Sequence, residues 1–153
     1  MRWLNIFISL LLAASAAQAG EGGTTYWMTE EKDAVVSLST NKKGELTGRI
    51  VWLEEPSPEE DKSEFDINNP DPKLRNRNIL GLEIVSGFEK ASQNTWKGGK
   101  IYDPESGNTY YGKIEFKGDK LEMRGSLDRW SLIGRTAEFT RTTDPDKWEK
   151  DEN

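Results

Sequence analysis

Tyr110-Tyr111-Gly112-Lys113-Ile114-Glu115-Phe116-Lys117-Gly118-Asp119-Lys120-Leu121-Glu122-Met123-Arg124-Gly125-Ser126-Leu127 is the stretch from which the architecture can be read. Gly118-Asp119 has the composition of a two-residue hairpin turn. Folding the segment about that turn sets Phe116 opposite Leu121, Ile114 opposite Met123, Gly112 opposite Gly125 and Tyr110 opposite Leu127. Side chains alternate between the two faces of a strand, so these four pairs share one face and their apolar members can be buried together. The other face sets Lys117 against Lys120, Glu115 against Glu122 and Lys113 against Arg124. Those direct pairs repel, while the diagonals Glu115/Arg124 and Lys117/Glu122 attract, so this face reads as a solvated charge lattice.

Outward from the hairpin, similar short runs recur near 26–29, 34–39, 45–53, 81–88, 94–102, 109–117, 120–127 and 132–141. Eight strands joined mostly by turn residues predict an all-β antiparallel fold, a barrel with a β-sandwich as the alternative. Gly98 to Tyr110 reads as another hairpin, with Asp103-Pro104-Glu105-Ser106-Gly107 as its turn. Turn chemistry explains each residue there; the spacing is not that of a calcium-binding EF-hand, and no metal site is expected. Gly112 and Gly125 face each other on the inner side, and Gly48 falls similarly in its own strand. They either let a small barrel coil tightly or vacate space for a ligand or a long side chain. In Ile133, Arg135, Ala137, Phe139 and Arg141 the apolar members mark the inner face and would bring Arg135 near Gly125. A guanidinium there needs a carboxylate or an anionic ligand, unless a bulge turns it outward.

The N-terminus carries addressing information. Arg2, the apolar run from Leu4 to Ala14 and Ala17-Gln18-Ala19 follow the order of a Sec-type export signal cleaved after Ala19. The run is shorter than the roughly 20 residues of a membrane span, so no transmembrane anchor is expected. No cysteine follows it, which closes the lipoprotein route. The expected mature protein is periplasmic or secreted. Loss of Arg2 leaves 20 basic residues against 27 acidic, a net charge of −7. Nucleic acid is therefore not an expected partner, because phosphate backbones select basic surfaces. The chain has neither histidine nor cysteine. Ser-His-Asp, Cys-His and zincin chemistries are excluded, as are disulfides and thiolate metal sites.

A single barrel domain is expected over 20–143. Residues 54–78 interrupt its strand rhythm with an acidic run, then Asn68-Asn69-Pro70-Asp71-Pro72, then Lys73, Arg75 and Arg77. A connection this long is a surface loop with a short helix, or a functional loop or lid. Residues 144–153 read as a flexible acidic tail, with Trp148 able to dock on the barrel.

Several ordered motifs resemble one family across nearly the whole mature chain. They are Gly48-Arg49-Ile50-Val51-Trp52-Leu53, Asn69-Pro70-Asp71-Pro72-Lys73-Leu74-Arg75, Gly99-Lys100-Ile101-Tyr102-Asp103-Pro104, Gly107, Tyr110, Gly134-Arg135-Thr136 and Thr140-Arg141. The family is the small secreted bacterial proteins called domain of unknown function 2147. The resemblance implies export and an eight-stranded lipocalin-like (calycin-type) up-and-down barrel, with no established activity. Family members commonly carry cysteines before the positions of Gly48 and Gly134; this chain does not, so no thiol role carries over. Lipocalin-like barrels often pair a tryptophan on the first strand with an arginine on the last, for which Trp27 and Arg141 are the candidates.

Two functional readings follow. The first is a binding module holding a small amphipathic, apolar or anionic ligand, with Arg135, Tyr110, Tyr102, Trp52 and Trp96 as lining candidates. In it Trp27, Arg141, Gly112 and Gly125 have structural roles. The second is a cell-envelope structural or interaction protein with a solid barrel, contacting its partner through the 54–78 loop or the tail. Catalysis is not expected and no cofactor is implied: carboxylates are plentiful, but most alternate with lysine on exposed faces.

Overall fold

The computed structural model describes residues 23–55, 64–128 and 134–150. The expected leader, the 56–63 part of the long connection, residues 129–133 and the last three residues lie outside the described residues. Eight strands appear: β1 (Thr25–Thr29), β2 (Ala34–Thr40), β3 (Leu46–Leu53), β4 (Glu83–Lys90), β5 (Thr95–Asp103), β6 (Asn108–Lys117), β7 (Lys120–Ser126) and β8 (Arg135–Thr142). Each pairs antiparallel with its neighbours in chain order, and β8 returns to β1 to close the barrel. The sandwich alternative is thereby replaced by an up-and-down barrel.

The β6–β7 hairpin has the register read from its alternation, from Gly112↔Gly125 through Ile114↔Met123 and Phe116↔Leu121 to Lys117↔Lys120. Gly118 sits at φ 65°, as the two-residue turn demands. Ion pairs lace the outer face: Lys117 with Glu122 at 2.8 Å, Lys113 with Glu115 at 2.8 Å and Lys120 with Glu138 at 3.8 Å. These pairs are partly exposed and contribute little to stability individually.

The turns β1–β2, β3–β4, β5–β6 and β7–β8 lie at one end of the barrel, here called upper; the start of β1 and the end of β8 lie at the lower end. The core occupies the lower and middle barrel: Trp27, Val36, Leu38, Leu46, Val85, Phe88, Trp96, Ile114, Phe116, Leu121 and Met123 form one cluster. Trp27 meets Phe116 edge-on, with ring centroids 5.5 Å apart. Its other neighbour is Arg141, its register partner across the β1–β8 seam, whose Cζ lies 5.0 Å from the indole centroid. A guanidinium over an indole contributes roughly 0.5–2 kcal/mol and here ties the first strand to the last.

In the tail read as flexible, Pro145–Lys150 forms a 3-10 helix, and Trp148 packs edge-on against Trp52 at 5.2 Å. The long connection contains a short 3-10 helix at Pro72–Leu74, capped by the Asp71 carboxylate accepting from the Lys73 amide. Around it, Asp66 N–H donates to Arg77 O, Ile79 N–H donates to Glu64 O, and Phe65 bridges Asn78. Residues 64–82 thus form a small flap, closed by one isolated β-bridge, at the upper end.

Candidate functional site

Register assigns each inner position, because paired residues project to the same side of the sheet. In the lower half those positions are filled. Val36, Leu38, Leu46, Phe88, Trp96, Ile114, Phe116, Leu121 and Met123 are all buried. The inner glycines do not open space there. Gly99, Gly112 and Gly125 stand side by side across β5, β6 and β7. A Cβ on Gly99 would lie 2.1 Å from the Phe88 ring, and one on Gly48 would lie 2.5 Å from Leu38 Cδ2. Neighbouring side chains have taken those volumes. At Gly112 a Cβ would meet Arg124 O at 1.8 Å, so this glycine permits close approach of β7 backbone. Tight coiling, rather than a vacated hole, is the reason for it.

The upper half differs. Gly125 pairs with Arg135 and Met123 with Ala137, so Arg135 and Ala137 sit on the inner face. Both are nevertheless exposed. Leu127, one inner step above Gly125, is 61% exposed. Tyr110 is half-buried, and a Cβ on Gly125 would lie 2.7 Å from the Tyr110 Cβ. Tyr110, Gly125 and Arg135 are thus adjacent on one inner wall. The wall is also open sideways: β1 pairs with β8 only over Phe139–Thr142, leaving Arg135–Glu138 laddered to β7 alone among the described residues. Arg135 makes no ion pair among the described residues. An uncommitted guanidinium beside a tyrosine and small or apolar side chains can hold an anionic group next to apolar surface.

Three residues expected to line a ligand are not beside Tyr110 and Arg135. Trp96 is an inner residue but fully buried in the core, with no hydrogen-bond partner for its indole N–H among the described residues. Trp52 lies on the outer face. A bulge leaves Val51 unpaired, and Trp52 then shares the outward side of Val35 and packs under Trp148. Tyr102 pairs with Thr109, one residue beyond the inner pair Ile101↔Tyr110, and so points outward beneath the flap.

Tyr102 belongs there to a polar cluster that the sequence did not disclose. Its hydroxyl donates to Asp66 Oδ1 at 2.5 Å, while Asn69 Nδ2 and Arg77 Nε each donate to Asp66 Oδ2 at 2.8 Å. Asp66 is 0% exposed and Asn69 4%. Arg75 Nε donates to the Asn69 carbonyl at 2.7 Å, and Arg77 also lies over the Tyr102 ring at 5.5 Å. Burial pushes the Asp66 carboxyl up, but the hydrogen bonds from Tyr102, Asn69 and Arg77 outweigh it and hold it below the usual range. Burial, then donation to Asp66 and its negative charge, pushes Tyr102 up to about 12. Each polar atom has a partner, so the cluster locks the flap onto β5 rather than waiting for a ligand. Asn68 extends the lock: its Nδ2 donates to Glu105 O at 2.8 Å, and its carbonyl would be 1.9 Å from a Cβ on Gly107. Gly107, at φ 72°, has no substitute at that contact.

A second concavity, a cleft of 290 Å³, lies outside the barrel between Tyr26, Arg49, Val51, Leu80 and the tail residues Asp144 and Asp146. Burial and a hydrogen bond with Asp144 raise the Tyr26 hydroxyl. Among the described residues no group of three metal-ligating side chains gathers, and no helix is long and apolar enough to cross a membrane.

An eight-stranded up-and-down barrel with tryptophan and arginine joining first and last strands is a lipocalin-like protein. Residues 25–141 match the family described as an uncharacterised protein conserved in bacteria, domain of unknown function 2147. The chain belongs to that family. Among solved structures it is similar to protein HP1028 from the human pathogen Helicobacter pylori, described as belonging to the lipocalin family. The identity is 27% and the TM-score 0.66, with 82% of this chain and 85% of that one covered. A search of the curated proteins returned no significant match.

Proposed function

We propose that this is an exported bacterial binding protein that holds a small amphipathic or anionic ligand in the open upper half of its barrel. The observation that carries the reading is Arg135, an inner-face residue by register with Gly125, yet exposed, one inner step above the buried Met123 and Ile114. Eight-stranded barrels either fill with side chains or hold one small ligand, and the exposure of Arg135 and Leu127 favours the second. A binding role rather than a catalytic one suits a chain without histidine or cysteine. The Ala17-Gln18-Ala19 signal supports export, and the N-terminus of protein recovered from its host should then be Gly20. Native mass spectrometry of that protein tests binding directly. A copurifying small molecule, lost in Arg135→Ala, is expected; a ligand-free protein that also fails to bind any amphiphile saturably would overturn the reading.

A second reading, an envelope interaction module, is favoured by the flap. Phe65 is 45% exposed, Ile67 53% and Leu80 55%. They alternate with the inward-facing Asp66 and Ile79 on a rigidly pinned element. Crosslinking in cells with and without Phe65→Ser and Ile67→Ser distinguishes it, because a partner captured only by the unaltered flap is required.

A further inference from the structure

We infer that the outer cleft between the tail, the flap and strands β1–β3 binds a small zwitterion, an apolar α-amino acid or dipeptide. Its ammonium faces Asp144 and Asp146, and its carboxylate faces Arg49. The site lies outside the barrel, so this inference stands apart from the binding reading above. Register sets the floor. Tyr26 pairs with Ser37 and Ser37 with Arg49, so the three stand in one row on the outer face of β1, β2 and β3. Two strand spacings, about 9–10 Å in all, separate the Tyr26 backbone from that of Arg49. The flap supplies one wall. Gly81 N–H donates to Ile50 O at 2.7 Å and Ile50 N–H to Leu82 O at 3.1 Å, which holds Leu80 beside β3 with 55% of its surface exposed. The tail supplies the other wall. Trp148 packs on Trp52 at 5.2 Å and donates from Nε1 to Thr143 Oγ1 at 3.0 Å, seating Asp144, Pro145 and Asp146 along the cleft.

The charges stand at opposite ends of the row. At the β1 end Asp144 hydrogen-bonds with the Tyr26 hydroxyl, and Asp146 adds a second, exposed carboxylate. Burial, then that hydrogen bond and the two negative charges, raises the Tyr26 hydroxyl, which marks this end as the negative pole. At the β3 end Arg49 donates from Nη1 to Gly81 O at 3.1 Å and from Nη2 to Glu83 Oε2 at 3.3 Å. These bonds position the guanidinium and leave it N–H groups to spare. Its pair with Glu83 is exposed, 57% and 43% for the two side chains, and such pairs hold a charge only weakly. The rest of the lining, chiefly Val51, Leu80 and Pro145, is apolar. A simple cation would meet Arg49, and a simple anion would meet the two aspartates. A zwitterion complements both ends at once, and an apolar body suits the walls, where a sugar would leave hydroxyls unpaired. A volume of 290 Å³ lies at the lower edge of small-molecule sites, which limits the occupant to an amino acid or dipeptide.

The test is calorimetric titration of the mature chain with leucine and leucyl-leucine. The same two molecules are titrated N-acetylated, which removes the ammonium, and amidated, which removes the carboxylate. Saturable binding of at least one zwitterion is expected, with each of its blocked forms at least tenfold weaker. Binding of leucine identifies a free amino acid as the ligand, and binding of the dipeptide alone identifies a peptide. Arg49→Gln should weaken the zwitterion about tenfold and leave the amidated form unchanged, because the lost partner is the carboxylate. Asp146→Asn should weaken the zwitterion and the amidated form together and leave the N-acetylated form unchanged. Circular dichroism of each variant confirms an intact barrel, and its near-ultraviolet signal confirms that Trp148 stays seated. Equal affinity for zwitterion and blocked forms, or a zwitterion affinity indifferent to both substitutions, would overturn the inference. So would the absence of saturable binding by either zwitterion while the tail is seated.

Discussion

Asp66 is a fully buried carboxylate on a loop, a position that is strongly unfavourable unless its charge is matched. Three donors from two parts of the chain match it, and the consequence can be measured as a function of pH. Tyr102, raised to about 12 from an ordinary value near 10, stabilises the fold fully below pH 10, and that contribution is lost as pH climbs towards 12. Asp66, lowered, has the opposite sense: its contribution is present above the ordinary carboxylate range and is lost as pH falls through its folded value. Tyr102→Phe should cost about 1–3 kcal/mol, because Asp66 then keeps its burial and loses a donor. Urea midpoints followed from pH 8 to 12 should fall less steeply in the variant than in the parent; identical slopes would refute the coupling. Gly112→Ala should be among the most damaging single changes in the chain, since its Cβ would meet Arg124 O at 1.8 Å and backbone cannot yield as a side chain does. A loss of about 3 kcal/mol or more in thermal melts is expected; a change below 1 kcal/mol would show that the β6–β7 spacing is softer than it looks.

Elements were legible in proportion to how locally they are specified. The β6–β7 hairpin could be read to the residue because its turn, its alternating apolar face and its charged face all agree. Trp52 was misplaced for an equally local reason: one bulged residue, Val51, inverts everything after it, and no residue type announces a bulge of that kind. The flap was opaque because its determinants are 33 to 36 positions apart, from Asn69 and Asp66 to Tyr102. Asp66 stands in sequence among other acids and looks like one more solvated charge. The tail occupies a middle position. Its tryptophan signalled a dock without naming the receptor, which proves to be Trp52 on β3. Trp148→Ala should cost about 1 kcal/mol and remove part of the near-ultraviolet circular dichroism arising from that pair. Retention of the full signal would mean that the pair does not persist in solution.

Along the barrel axis the described inner positions differ: Leu121 and Met123 are buried, whereas Arg135 and Leu127 beyond them are exposed. Stability and function should therefore separate by height. Leu121→Ala, in the buried lower layer, should cost about 2–5 kcal/mol, whereas Leu127→Ala on the same strand line, 61% exposed, should cost less than about 0.5 kcal/mol. Chemical denaturation of the two variants checks this, and comparable losses would mean that the upper layer is packed after all. Closure itself is a property of the whole molecule. Trp27 and Arg141 lie at opposite ends of the sequence and meet because β8 must find β1.

While Arg135 was left either inward or turned out by a bulge, residue types, their alternation and their turns were enough to establish the all-β class, the number of strands and the β6–β7 register. Each follows from interactions between neighbours in the chain or across a tight turn. The filling of the lower barrel, the outward turn of Trp52 and Tyr102, and the burial of Asp66 needed the folded coordinates. They depend on which side chain reaches a shared volume first: Phe88 over Gly99, Leu38 over Gly48, the flap over Tyr102. Close packing in three dimensions settles such contests, and a linear pattern records only the candidates.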